Sequence, residues 1–227
     1  MKGALQYPGL QHQPNHGAHQ GWVSQIIRRF LRAQFGRPTG LWGNIAGKIM
    51  ARAPSNQERI HWTLALLDIQ PEDRILEIGF GPGVAIELAS KMASAGFIAG
   101  VDHSEVMVGQ ASRRNARAIR DGKVMLQLGS VSNLPKFNES FDKIFTINSM
   151  HFWPQPVECL KALGKLLRPG GRIAVTIQPR SRSATAATTK EIGEEVLMNL
   201  TRAGFSQCQL EIRPLKPVSV ACAIGIK

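Results

Sequence analysis

The stretch Ile75-Leu76-Glu77-Ile78-Gly79-Phe80-Gly81-Pro82-Gly83 decides how the rest of the chain is read. Arg74–Ile78 is a β-rich run, and Val84–Ala93 after the glycines reads as a helix. A strand that enters a tight glycine-rich turn and leaves it as a helix brings a ligand against bare backbone at the carboxyl edge of a sheet. The spacing narrows the kind of ligand. A dinucleotide fingerprint needs glycine at positions 79, 81 and 84, but position 84 is Val and the glycines stand at 79, 81 and 83, with Glu77 two residues ahead. The plain alternative is an ordinary strand-to-helix turn.

Outward from this turn, strands and helices alternate. Phe97–Val101 is a second strand, and Ser104 is placed to cap a helix that runs to about Ile119. Lys123–Leu128 and Asp142–Ile147 are further strands, followed by a helix from Pro156 to Leu167 and a fifth strand over Arg172–Ile177. A helix from Thr189 to Arg202 precedes Gln207–Ile212 and Val218–Ile226, two successive strands most simply paired antiparallel. Units of this kind predict an α/β fold, Rossmann-like and doubly wound, with a mostly parallel seven-stranded sheet covered by helices on both faces and an antiparallel C-terminal strand.

Before the glycine turn the character differs. Residues 1–20 read as a disordered tail holding His12, His16 and His19, with no Cys or carboxylate beside them to make a metal site. Residues 21–69 read as an N-terminal helical cap. Trp22, Val23, Ile26, Ile27, Phe30 and Leu31 recur at helical spacing beside Arg28, Arg29 and Arg32, an amphipathic basic helix reaching Gln34, and a second helix covers Trp42–Ala51. Ser55-Asn-Gln-Glu58 has the form of a capping box that opens a third. The remaining span, 70–227, is then the ligand-binding domain.

The chain has 227 residues, 43% hydrophobic and 19% charged, which suits one well-buried α/β domain. No run approaches the roughly 20 apolar residues of a membrane span, and no apolar leader segment stands at the start. Cys159, Cys208 and Cys222 are widely spaced in apolar runs, as for reduced thiols in a cytoplasmic protein. Of the net charge of +12, seven excess cations lie in the first 57 residues, which hold no acid. Such a field favours an anionic partner, although a solvated basic face is the plainer reading.

On the glycine turn and the elements after it, residues 70–227 resemble class I S-adenosylmethionine-dependent methyltransferases, in the type-11 and quinone-biosynthesis-like branch that acts largely on small molecules. The resemblance implies that Gly79, Phe80, Gly81 and Gly83 line the methionine part of S-adenosyl-L-methionine, with Glu77 steadying the turn. Ala99-Gly-Val-Asp102 ends the second strand, and the resemblance gives Asp102 the ribose hydroxyls; helix capping is the competing role for an Asp before Ser104. His103 would flank the adenosine. Gly129-Ser-Val-Ser132 followed by Leu134-Pro135 matches the adenine-contacting loop, where Ser130 replaces the usual acid and Ser130 or the Val131 amide would take the adenine edge. Leu166-Leu-Arg-Pro-Gly-Gly-Arg-Ile173 resembles the turn into the fifth strand.

The fourth strand ends in Asn148, Ser149, Met150, His151, Phe152 and Trp153, polar or aromatic where a plain core would be aliphatic. Asn148 either lines the cofactor pocket or satisfies the strand end. His151 is the candidate base for a hydroxyl acceptor, or else a pocket-wall residue. The reading is a methyltransferase for a small-molecule acceptor, apolar or anionic, peripheral to an anionic membrane through the basic helix if that helix is not packed on its own domain. An RNA methyltransferase is the alternative that the charge allows, and a silent cofactor-binding, membrane-surface or partner-binding protein is the second. No Asn-Pro-Pro-Tyr or Asp-Pro-Pro-Tyr sequence supports the first of these.

Overall fold

A computed structural model describes residues 54–181 and 183–227. The tail and the first two N-terminal helices expected from the sequence, with their histidines and basic face, lie outside the described residues. The strands are β1 (Arg74–Ile78), β2 (Phe97–Asp102), β3 (Val124–Leu128), β4 (Phe141–Ile147), β5 (Leu167–Ile177), β6 (Ser206–Arg213) and β7 (Val220–Ile226). The helices are α1 (Pro54–Leu67), α2 (Val84–Met92), α3 (Glu105–Arg114), α4 (Ala116–Arg120), α5 (Pro156–Leu166) and α6 (Ala186–Arg202). One sheet contains all seven strands in the order β3-β2-β1-β4-β5-β7-β6, and among them β7 alone runs against the others.

Side chains of a strand alternate between faces, so a strand with apolar residues at every position feeds two cores. In β1, Leu76 and Ile78 enter a core with Leu160, Leu163, Val196 and Leu200 of α5 and α6. Ile75 enters the opposite core with Ile60, Leu64 and Leu67 of α1 and Val84, Ile86 and Ala89 of α2. The same alternation turns Glu77 toward the face of Ile75. Three-layer packing is thus written into four successive residues.

Element ends show where local chemistry overrides periodicity. Pro54 opens α1, its φ preset for a first helical position, and Ser55 therefore lies inside the helix rather than at the cap expected for it. Glu58 pairs with Arg213 at 3.2 Å instead of closing a capping box. Ser104 does cap α3, accepting from the Met107 amide. The single helix expected to Ile119 breaks at Asn115, whose Nδ2 donates back to the Ala111 carbonyl at 2.9 Å and across to Gly83. α6 starts three residues earlier than expected because Thr185 and Thr188 cap each other's amides, a box without the usual Glu or Gln. β5 reaches back through Gly170 and Gly171 to pair Leu167 with Phe141.

The helix expected as the last of a separate cap is part of the domain's own helical layer. Its stripe Ile60, Leu64 and Leu67 is buried in the core that β1, β4 and β5 share. All three cysteines are free, and burial pushes the Cys222 thiol up to about 12. Among the described residues no helix is long and apolar enough to cross a membrane.

This packing predicts the response to truncation. Leu64→Ala, at a position 1% exposed, should lower unfolding free energy by about 2–5 kcal/mol in urea titrations. Met198→Ala, 47% exposed on α6, should stay within about 0.5 kcal/mol of wild type. Equal losses would mean that α1 does not carry its layer of the core.

Candidate active site

The chain leaves β1 toward β2 on one side and returns to place β4 on the other, so the strand order reverses at β1 and β4. A crevice opens above the carboxyl ends of strands that part in this way. The glycine turn fills one wall of that crevice, and each of its three glycines answers a different demand. A Cβ on Gly79 would stand 2.5 Å from Ser149 Oγ at the end of β4, and one on Gly83 would stand 2.6 Å from Ala111 Cβ of α3. Gly81 has nothing within 4 Å of that position. Its φ of 53° favours glycine, and the space in front of it is open for a ligand.

Asp102 holds this turn in place. Its Oδ2 accepts from the Gly81 amide at 2.8 Å, and its Oδ1 accepts from the Ser104 amide at 2.9 Å. His103 Nδ1 lies 3.8 Å from the same Oδ1, with its side chain 40% exposed. A carboxylate offers about four lone pairs, so Asp102 retains acceptor capacity after the Gly81, Ser104 and His103 amides are served. Burial raises its pKa, and the hydrogen bonds from Ser104 and Gly81 pull the other way. Helix α3 supports the turn from behind, through Asn115 Nδ2 on the Gly83 carbonyl at 3.2 Å and Arg114 Nε on the Pro82 carbonyl at 3.0 Å.

Beneath the turn, Glu77 is buried and its Oε2 has no hydrogen-bond partner. Burial first, and the charge of Asp102 second, hold its carboxyl well above the ordinary 4.5. Two other residues of the expected site have buried side chains. Phe80 is 3% exposed and its ring lies over Gly100, where an added Cβ would meet Phe80 Cδ1 at 2.7 Å. Val131 is buried in the core of α5 and α6. Each is apolar, and core burial outweighs contact with a polar cleft, so both can face the cleft only through backbone. Ser130 is exposed after β3, its carbonyl accepting from the Asn133 amide at 3.1 Å.

The opposite wall is the end of β4. Asn148 adopts φ 55°, a left-handed conformation that Asn tolerates better than most residues. Its amide donates to the Thr176 carbonyl at 2.8 Å, and its Oδ1 accepts from the Gln178 amide at 2.7 Å. Of its two expected roles, the side-chain oxygen therefore serves the strand end. Ser149 Oγ accepts from Trp153 Nε1 at 3.0 Å. His151, on the short 3₁₀ turn Met150–Phe152, is exposed on one side and packed on the other, its ring 4.0 Å from that of Phe152. That partial desolvation, followed by the charge of Arg180, lowers its pKa to about 4. At neutral pH it is an uncharged imidazole and a weak proton acceptor.

Sequence reading passed over a polar ladder that docks α1 onto this edge. Arg59 Nη1 donates to Gln178 Oε1, its Nη2 to Asn56 Oδ1 at 2.5 Å, and Thr63 Oγ1 shares a hydrogen bond with Thr176 Oγ1 at 2.8 Å. The available signal was Arg59 and Thr63, four apart, standing on the same helical stripe as Ile60, Leu64 and Leu67.

Known proteins resemble this arrangement. Residues 75–171 match a family model described as a methyltransferase domain. The chain is 33% identical over 183 residues to the uncharacterized methyltransferase YdaC of Bacillus subtilis (strain 168), covering 81% of this chain and 98% of that one. It is 31% identical to the 27-O-demethylrifamycin SV methyltransferase of Amycolatopsis mediterranei (strain S699), covering 58% of this chain and 50% of that enzyme. A crystal structure of a SAM dependent methyltransferase from Aquifex aeolicus superposes with a TM-score of 0.63 at 18% identity, covering 79% of this chain and 97% of that one.

The buried Glu77 generates a pH test. Above pH 4.5 the unfolded chain has released a proton that the folded protein still holds, so this residue makes stability fall as pH rises. Glu77→Gln removes that dependence. Its melting temperature relative to wild type should therefore climb between pH 5 and 8, and a constant difference across that range would mean that Glu77 is ionised in the fold.

Proposed function

Since the chain belongs to the class I S-adenosylmethionine-dependent methyltransferase family, we propose that it transfers a methyl group to a small-molecule acceptor held over the carboxyl ends of β1, β4 and β5. The observation that carries this reading is the glycine turn fastened to Asp102 beside open space at Gly81. The residues present fit the cofactor. Glu77 Oε2 is a buried acceptor with no donor, and Asp102 has lone pairs to spare beside the turn. When bound, S-adenosylmethionine supplies a methyl carbon made electrophilic by its sulfonium.

In this reading Gly81 admits the methionine part, Glu77 meets its amino group, and Asp102 accepts from the ribose hydroxyls. His103 and the Ser130–Val131 backbone flank the adenosine. Much of the rate comes from holding the acceptor in line within a water-poor crevice. His151, uncharged at neutral pH, accepts the proton of a hydroxyl acceptor. Its pKa near 4 makes it suited to acceptors that are acidic already.

Calorimetry with S-adenosylhomocysteine tests the cofactor assignment. Asp102→Ala should weaken binding by about 1.5–3 kcal/mol, the worth of a charge-assisted hydrogen bond, and should lower the melting temperature because the backbone amides lose their acceptor. Wild-type affinity in that variant would move the ribose contact elsewhere. His151→Ala should reduce turnover while leaving the affinity for S-adenosylhomocysteine intact, and the wild-type rate should show no inflection near pH 6.5. Full activity in the variant removes His151 as the proton acceptor.

A further inference from the structure

Arg59 is 8% exposed, and its guanidinium reaches neutral partners only, Gln178 Oε1 and Asn56 Oδ1. Its Nε is buried with no hydrogen-bond partner, and among the described residues no carboxylate forms an ion pair with it. A buried cation without a counter-ion is costly in a folded protein. Four surroundings fix its meaning. Gln178 leaves the carboxyl end of β5, Arg180 follows two residues later, Asn148 Oδ1 binds the Gln178 amide, and His151 stands three residues beyond Asn148. Arg59 is thus fastened to the carboxyl end of β5, with Arg180 close enough to act on both Arg59 and His151.

We propose that Arg59, with Arg180, forms the subsite for an anionic oxygen group of the methyl acceptor, a carboxylate or a phosphate. The proposal rests on the methyltransferase reading above and names its substrate class. A guanidinium already oriented by Gln178 and Asn56 keeps donors on Nη1 and Nη2 beyond the two that those partners take, and planar oxyanions match its donor fork. Burial first and the charge of Arg180 second lower the pKa of Arg59 and of His151, so an anion that arrives between them offsets both.

The placement has a chemical consequence where the anionic group is itself the nucleophile. An oxygen lone pair forms the new O–C bond while the C–S bond breaks and its electrons return to sulfur. A carboxylate and the sulfonium end as a neutral ester and a neutral thioether, and a phosphate ends as its methyl ester with one negative charge fewer. No proton is left over, so no strong base is required, which agrees with the weak basicity of His151.

The test uses the full chain with S-adenosylhomocysteine bound. Benzoate, its neutral isostere benzamide, and methyl phosphate are titrated by thermal shift and calorimetry against wild type, Arg59→Gln and Arg180→Gln. Benzoate or methyl phosphate should bind wild type saturably and at least tenfold tighter than benzamide. Each substitution should remove most of that preference while changing affinity for S-adenosylhomocysteine less than twofold. The two anions separate a carboxylate from a phosphate subsite. Equal binding of benzamide and benzoate, no saturable anion binding, or anion affinity unchanged in the variants overturns the proposal. Should Arg59→Gln fail to fold, Arg180→Gln, on the exposed segment after β5, decides the outcome. Failure of wild type to bind S-adenosylhomocysteine would instead strike the methyltransferase reading itself.

Discussion

A single carboxylate spans the gap between two strand ends. By accepting from the amides of Gly81 and Ser104, Asp102 fastens the glycine turn after β1 to the helix start after β2. Hydrogen bonds to a charged acceptor are worth roughly twice those between neutral groups, and a buried amide without an acceptor is costly, so the turn has little freedom to relax. Behind it, Asn115 and Arg114 hold the carbonyls of Gly83 and Pro82. Gly79 and Gly83 are packed too closely against Ser149 and Ala111 for any side chain, while Gly81 alone of the three faces free space. The crevice is therefore rigid where it must be bare.

Charge divides the crevice into two sides. Glu77 and Asp102 gather buried carboxyl groups beside the glycine turn, and burial first, with the charge of Asp102 second, raises the pKa of Glu77. Across the crevice Arg59 and Arg180 gather cations beside a neutral His151. A positively charged donor belongs beside the acids, and an anionic acceptor belongs beside the arginines. The proposed assignment puts opposite charges on either side of the methyl group, and their neutralisation on transfer follows the field already built into the fold.

Membership of the family came from sequence identity across nearly the whole length of a relative, and the fold from superposition with a structure of low identity. A shared fold does not name an acceptor, because function resides in the site carried by the fold. The substrate class proposed here comes instead from Arg59 and its surroundings, where α1 meets the sheet edge. The helix that looked like part of a detached cap is what completes that edge.

The sequence alone determined the architecture and the glycine-turn side of the crevice. Glycines at 79, 81 and 83 after an apolar strand, and an acid at the end of the next, act through backbone geometry a few residues long, and local geometry is legible locally. The alternation of strands and helices along the chain likewise announced a sheet covered on both faces. Side-chain direction and burial were decided by the tertiary structure. The side chains of Phe80 and Val131 lie in the two cores, which leaves only their backbone for the cleft. The raised pKa of Glu77 and the lowered pKa of His151 depend on burial and neighbours that only folding supplies. Arg59 meets Gln178 across 119 residues of chain, a separation no local pattern encodes, and the proposed anion subsite rests on that contact.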